Sequence, residues 1–470
     1  MRAWFITILV LLASLPAPAD VIRLKNGRTI WADQVRQNKD RIEYDVGENT
    51  YAIPKSVVER IDAGGVAPQH TSSGGSQDVP DFTPALPTFS HEADVSGKVI
   101  HDGKVDTDAL DSLERDGKPE LAATGYFLAG KHESDRGNIP QAKHYFELAL
   151  RLQPDNSTLL TYYAASLLRT GHAPEAVTYA TRAVRADPDS PDALAMLGFV
   201  QFASDHTPDA IRAWKKSLKL RPDSTVSQYL ARAERESNAE SAFSQHESSH
   251  FNLHFEGKQT SESFRRDLLA TLETDYDFLV RDLGYSPHNT IVATLYTEQA
   301  FFDVTRAPSW SGAVNDGKLR IPISGVASMT SELARVLKHE LTHSFVTQMS
   351  GGRCPTWLHE GIAQIEEGKS RATWGRQLAQ LFAAQGEIPF NVLEGSFMRF
   401  STPEATVAYA ESLAAVEYIR DTYGMSDLPR ILERLAQGSS TEAALRSTIH
   451  ADYSQLRDEL ARWLKDKYGQ

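Results

Sequence analysis

Cysteine is almost absent from this 470-residue chain, with Cys354 standing alone. A single thiol excludes a disulfide framework and a four-cysteine zinc site within the chain. Basic residues are in deficit, 49 Lys and Arg against 62 Asp and Glu, for a formal net charge of −13. Phosphate backbones are neutralised by clustered Lys and Arg, so this balance argues against nucleic acid as the main partner. Beyond the first fifteen residues no apolar run reaches the ~18–20 residues that span a bilayer, which excludes a polytopic membrane protein. Gly and Pro, 29 and 22 in number, are at ordinary levels, which excludes collagen and global disorder. At roughly 100–200 residues per domain, the length predicts about three domains.

The chain opens with MRAWFITILVLLASLPAPA. Arg2 precedes an apolar run from Ala3 to Leu15, and Ala17-Pro18-Ala19 fits the small-residue cleavage rule of a secretory signal. Residues 1–19 are therefore expected to be a signal peptide. The mature chain would then be periplasmic or extracellular, with no transmembrane span. No Cys follows the run, so a lipid anchor is not supported. From Val21 to Ile61 short β-like segments surround an Asn26-Gly27 turn. Residues 20–63 are expected to form a small β-barrel-like module with Trp31 in its core. Residues 64–122 read as linker and lead-in, the first part rich in Gly, Pro, Ser and Thr.

An internal period follows. Pro154, Pro188 and Pro222 stand 34 residues apart, as do Ala142, Ala176 and Ala210, and Gly130, Ala164 and Gly198 recur at the same spacing. Each alanine opens a helical segment that ends at its proline. A 34-residue helix–turn–helix period with small residues where helices touch resembles tetratricopeptide repeats. Phe146 and Trp214 occupy that family's bulky position, and Ala180 departs from it. Residues 225–243 read as the closing helix that a stacked array requires, so the repeats span 123–243. The resemblance implies a groove for a peptide or partner protein; the alternative is a spacer.

The third block, 248–470, begins with strand-like Phe251–Phe255, a helical stretch from Phe264 to Leu283, and a second strand at Ile291–Tyr296. A short helix at Glu298–Thr305 precedes a hairpin within 311–324 that turns at Asn315-Asp316-Gly317. Strands first and helices afterwards predict an α+β domain rather than βαβ units.

The chemistry concentrates in His339-Glu340-Leu341-Thr342-His343, inside a run free of Pro and Gly from Glu332 to Met349. Residues i and i+4 share a helix face, so both imidazoles can reach one metal ion, with Glu340 beside them. Fourteen residues after His343 comes Trp357-Leu358-His359-Glu360-Gly361-Ile362-Ala363. Catalytic zinc takes three protein ligands and keeps one position open. A reversal at Gly351-Gly352 with Pro355 at the next helix start would return Glu360 to the two histidines. Together the two motifs resemble the gluzincin metallopeptidases, specifically the peptidase-MA-like group with HExxH and WLxEGxA, over residues 250–470. The resemblance implies one zinc ion held by His339, His343 and Glu360, with Glu340 as general base. His359 departs from the commoner Asn and is a competing ligand candidate.

Other parts are more open. Gln364 is a candidate acceptor for a ligand's second N–H, although a carboxylate would orient the ring better. Tyr409 is chosen as the oxyanion donor, with Tyr418 and Tyr423 as rivals. Asn315 stands where aminopeptidases of this clan carry the Glu that holds a free amino terminus, which weakens an aminopeptidase assignment. Cys354 is either a thiolate that blocks the metal or a half-buried structural residue. The expected whole is a multidomain, exported zinc metallopeptidase that acts on peptides or proteins. It would carry a small N-terminal β module, a tetratricopeptide-repeat array and an α+β zincin-like domain. The alternative is an inactive zincin-like scaffold whose repeats bind a partner protein.

Overall fold

The computed structural model describes residues 18–66 and 89–469, except 25–28, 33, 39–40, 47–48, 56–57, 90, 102, 137, 170, 258–259, 306–312, 316, 324–327, 370–373 and 398–399. The N-terminal strands form one unit and the residues from 89 onward another.

In the first unit, β1 (Pro18–Leu24), β2 (Thr29–Ala32) and β6 (Val58–Val66) make an antiparallel sheet in the order β2-β1-β6. A second antiparallel sheet has the order β3 (Gln34–Gln37), β4 (Arg41–Val46), β5 (Asn49–Pro54). The two central strands bury Ile22 and Ile42. Gly64 and Gly65, expected in the linker, instead continue β6, with Gly65 paired to Ala19. Trp31 lies on β2 opposite Val21, but its side chain is outside the described residues. So are residues 1–17 and the Asn26-Gly27 turn.

The second unit starts with α1 (Glu92–Val99), a two-residue hairpin of β7 (Ile100–His101) and β8 (Lys104–Val105), and α2 (Thr107–Arg115). These lead-in elements pack on α3, and Phe89, Val95, Val99, Leu110 and Leu113 join the core of the repeats. The repeats are three helix pairs: α3 (Pro119–Asp135) with α4 (Ile139–Leu152), α5 (Ser157–Arg169) with α6 (Ala173–Ala186), and α7 (Pro191–Ala203) with α8 (Thr207–Leu220). The closing helix is α9 (Ser224–Ala239). Small and bulky residues complement each other within each pair. A Cβ on Gly130 would lie 2.8 Å from the Phe146 ring, and one on Gly198 would collide with Trp214. In the middle repeat Ala164 replaces the glycine and Ala180 the aromatic ring, both fully buried.

The C-terminal part holds a five-stranded sheet in the order β12-β13-β11-β10-β9. Its strands are β9 (Ser244–Glu247), β10 (Phe251–Phe255), β11 (Ile291–Tyr296), β12 (Val314–Asn315) and β13 (Leu319–Pro322). The sheet is mixed. β10 and β11 run parallel with α10 (Glu262–Leu283) between them, and β11 and β13 run parallel with α11 (Glu298–Thr305) between them. The expectation of a sheet without βαβ units is thus corrected, because a parallel pair needs a crossover and these two helices supply it. The antiparallel hairpin at 314–322 and the helix-only remainder are as expected: α12 (Ser331–Met349), α13 (Thr356–Glu366), α14 (Gly375–Ala383), α15 (Phe390–Leu393), α16 (Thr402–Thr422), α17 (Asp427–Ala436), α18 (Thr441–Ile449) and α19 (Tyr453–Tyr468).

The turns inside the three repeats lie along this C-terminal part. Arg353 Nη2 donates to the carbonyls of Ser134 and Asp135 at 3.5 and 3.4 Å. Asn289 donates to the Gly171 carbonyl. Asp205 Oδ1 takes Lys318 Nζ at 2.6 Å. Gly171 and Asp205 are one repeat apart in sequence, so the 34-residue period spaces these anchors. At the third anchor a buried ion network forms. Arg320, fully buried on β13, donates to Glu236 Oε2 of α9 at 2.7 Å and to the Tyr296 hydroxyl at 2.7 Å. His254 on β10 lies 3.0 Å from Asp205 Oδ2 and 3.5 Å from Glu240 Oε2. Burial alone would lower the His254 imidazole, but Asp205 and Glu240 outweigh it and raise it to about 9.

A folded-state value above the ordinary 6.5 sets the sign of the linkage. The stabilisation is complete below about pH 6.5 and is lost as pH rises through about 9. The expected loss is about 3 kcal/mol of unfolding free energy. Urea unfolding of wild type at pH 6 and pH 9 should show this decline, and His254→Gln should flatten it.

Candidate metal centre

Two helices and the turn between them build the site. Thr330 caps α12, its side chain accepting from the Leu333 N–H. Leu337, Leu341 and Phe345, at helical spacing, bury one face of α12 in the domain core. His339, Glu340 and His343 are turned from that stripe and are also buried, at 0, 0 and 3% exposure. Gly351 and Gly352 then take φ of 60° and 73°, a left-handed pair that reverses the chain without a Cβ penalty. Pro355 caps α13, and Glu360 comes back to the two histidines. Gly361 permits a further close approach. A Cβ there would lie 2.5 Å from the Ser412 carbonyl of α16, the helix that carries Tyr409.

The sequence-predicted set does converge. Glu360 Oε2 lies 3.6 Å from His339 Nε2 and 3.9 Å from His343 Nε2. The edges of a tetrahedron with metal–ligand bonds of ~2.0–2.1 Å measure roughly 3.3 Å, so these separations suit donors around one small cation. Glu340 belongs to the same group, its carboxylate and the two imidazoles lying within 4.8 Å of one another. Neither nitrogen of His343 and neither carboxylate oxygen of Glu340 or Glu360 has a hydrogen-bond partner among the described residues. Buried polar atoms are ordinarily paired. Unpaired N and O donors converging on one point therefore fit a divalent metal.

Electrostatics gives the same reason. Burial pushes the Glu340 carboxyl up to about 8, with Glu360 and Glu367 adding to it against His339. Burial likewise raises Glu360. His343 is held well below its ordinary value by burial and by the neighbouring His359 and His339. His339 goes the other way: burial disfavours its cation, but Glu360 and Glu367 raise it to about 10. A bound dication would supply the positive charge that this buried set of carboxylates lacks.

Glu367 was not anticipated. Its Oε2 lies 3.5 Å from His339 Nδ1, and its Oε1 takes Lys369 Nζ at 2.6 Å. Seven residues beyond Glu360, it returns to nearly the same side of the chain after two turns, the one signal in the sequence that points to it. Gln364, the acceptor candidate, instead donates through Nε2 to the carbonyls of Tyr409 and Glu360, at 3.0 and 3.3 Å. A carboxylate, not an amide, thus faces the ligand ring. Tyr418 and Tyr423 both donate to Glu459 Oε2, at 2.9 and 3.0 Å. Tyr409 is buried and feels the charges of Glu360 and Glu340, which add to burial in holding its phenol well above the ordinary value. Asn315 donates through Nδ2 to the Glu340 carbonyl and to Ser344 Oγ, both at 2.6 Å. Burial, and after it Glu360, keeps the half-buried Cys354 thiol protonated well above its ordinary value.

With this geometry in view, residues 279–466 match the family model of the Peptidase MA superfamily. The C-terminal domain belongs to that superfamily. Residues 127–191 match the tetratricopeptide repeat, so the chain joins a Peptidase MA domain to a repeat array. No curated protein matches the chain. Among solved structures, MamA from Desulfovibrio magneticus RS-1, residue 41 to its end, is 18% identical. The match covers 32% of this chain and 88% of that one, with a TM-score of 0.24. A tetratricopeptide repeat protein from Parabacteroides merdae ATCC 43184 is 11% identical, covering 61% of this chain and 88% of that one, with a TM-score of 0.27. With scores this low, neither likeness bears on the Peptidase MA site.

If the centre takes zinc, Glu367→Gln should leave the fold intact and weaken that binding about 10–100-fold, the usual effect of removing a carboxylate behind a ligating histidine. Competition with a chromophoric chelator measures it. Gly361→Ala should cost about 1–3 kcal/mol in chemical denaturation, because α13 and α16 must separate to admit the methyl group.

Proposed function

We propose that this chain is an exported, zinc-dependent peptidase of the gluzincin type, with repeats that engage a protein partner. One observation supports the reading: buried atoms of His339, His343 and Glu360 without hydrogen-bond partners among the described residues lie close together, Glu360 Oε2 being 3.6 and 3.9 Å from the two histidine Nε2 atoms, and Glu340 groups with the same two histidines. His339, His343 and Glu360 would hold the ion and Glu340 would remain for proton transfer. Zinc, when bound, supplies Lewis acidity that polarises a carbonyl and lowers the pKa of water toward about 7.

The protein's own groups do the rest. The Glu340 carboxylate takes a proton from the attacking water and returns it to the nitrogen of the leaving amine. Tyr409, held as a neutral phenol, donates a hydrogen bond to the oxyanion of the tetrahedral intermediate. Strand β12 is the edge of the sheet, where an extended peptide can add by backbone pairing. Asn315 on that strand is spent on the Glu340 carbonyl and Ser344. It brings no negative charge to hold a free amino terminus, which speaks against an aminopeptidase. The apolar run at 3–15 and its small-residue site support export. Among the described residues no helix is long and apolar enough to cross a membrane.

Glu340→Gln should bind one zinc per chain as wild type does and lower peptide hydrolysis about 10²–10⁴-fold, the range of general-base catalysis. Metal analysis beside cleavage profiling on a diverse peptide library measures both. Unchanged hydrolysis would remove Glu340 from its role, and wild type without zinc would favour the inactive scaffold.

A further inference from the structure

His359 is buried beside the metal centre, and the proposed reaction does not use it. Its ring lies parallel to that of His343, with 3° between the planes and 4.6 Å between centroids, an offset stack. Its Nε2 is 3.2 Å from Thr347 Oγ1, one turn beyond His343 on α12. His359 therefore spans from α13 to α12 and covers one face of the His343 imidazole.

The two ligand histidines are held differently. His339 has the Glu367 carboxylate 3.5 Å from its Nδ1. Neither histidine has a hydrogen-bond partner on either nitrogen among the described residues, but where His339 has a carboxylate at its Nδ1, His343 has the flat face of His359 against its ring. The same geometry excludes His359 as a further ligand of that metal. Imidazole lone pairs lie in the ring plane, and stacked rings sit roughly 3.5 Å apart. An ion in the plane of His343 is thus farther from the plane of His359 than a Zn–N bond of ~2.0–2.1 Å allows. His339, at 88° to His343 with centroids 4.7 Å apart, can direct its lone pair to a shared point.

We infer that His359 is a positioning residue for the metal centre, orienting His343 by ring stacking and itself tethered by Thr347. This rests on the metal-centre reading above. The test uses full-length protein loaded with Co²⁺ in place of zinc, reading the dissociation constant by chelator competition and the visible ligand-field spectrum. His359→Ala should weaken Co²⁺ binding about 10–100-fold and change the spectrum. His359→Phe, which keeps a flat partner without a nitrogen, should restore both. Thr347→Val, which removes only the tether, should fall between them. Wild-type affinity and spectrum in His359→Ala, or a His359→Phe as weak as His359→Ala, would overturn the inference. If His359→Ala fails to fold, the Phe and Val variants decide it by the same two readouts: a His359→Phe that differs from wild type, or a Thr347→Val that does not, overturns it. Wild type that binds no Co²⁺ would instead overturn the metal-centre reading, and this inference with it.

Discussion

Two imidazoles and two carboxylates buried at one helix crossing, with none of the carboxylate oxygens hydrogen-bonded among the described residues, form the constraint on which the domain is built. Burying such groups without a countercharge is expensive. The surrounding elements read as means of holding them together all the same. The left-handed Gly351-Gly352 turn reverses the chain, Gly361 lets α16 approach α13, and Asn315 ties the sheet edge to the carbonyl of Glu340. Each costs conformational freedom or packing tolerance that a plain helical hairpin would not. A dication at the crossing would offset the charge of these carboxylates.

The repeat array is more than an appendage. Its turns anchor on Arg353, Asn289 and Lys318, and its closing helix puts Glu236 into a fully buried pair with Arg320. Arg320 lies on β13, whose neighbour β12 carries Asn315. Removing one member of a buried pair strands the other charge, so this face of the array is committed to the domain behind it.

The local parts of this architecture were legible in the sequence. An i, i+4 histidine pair declares a shared helix face, and the Gly-Gly-x-x-Pro reversal declares the return of Glu360. The 34-residue period declares stacked helices, and Gly130 and Gly198 mark where Phe146 and Trp214 fit. What was not legible depends on distant pairing. Nothing near Phe251 says that its strand runs parallel to Ile291–Tyr296, because the register is set across the length of α10. Nothing beside Lys318 and Arg320 in sequence names their acidic partners, which lie some eighty residues away on α9 or further back. Glu366 and Glu367 are adjacent acidic residues in sequence, and it is the crossing of α12 and α13 that sets Glu367 against His339. Residues 91–115 carried no repeat signature, yet their apolar positions complete the core beside α3.

We propose that two histidine nitrogens and a glutamate oxygen, not a thiolate, define a zinc site at the crossing of α12 and α13. X-ray absorption at the zinc K-edge of the purified full-length protein tests it most directly. One zinc per chain is expected, with two imidazole nitrogens at about 2.0–2.1 Å, oxygen completing the shell, and no sulfur scatterer. A sulfur shell near ~2.3 Å, which only Cys354 or a methionine could provide from within the chain, or a protein without zinc, would contradict it.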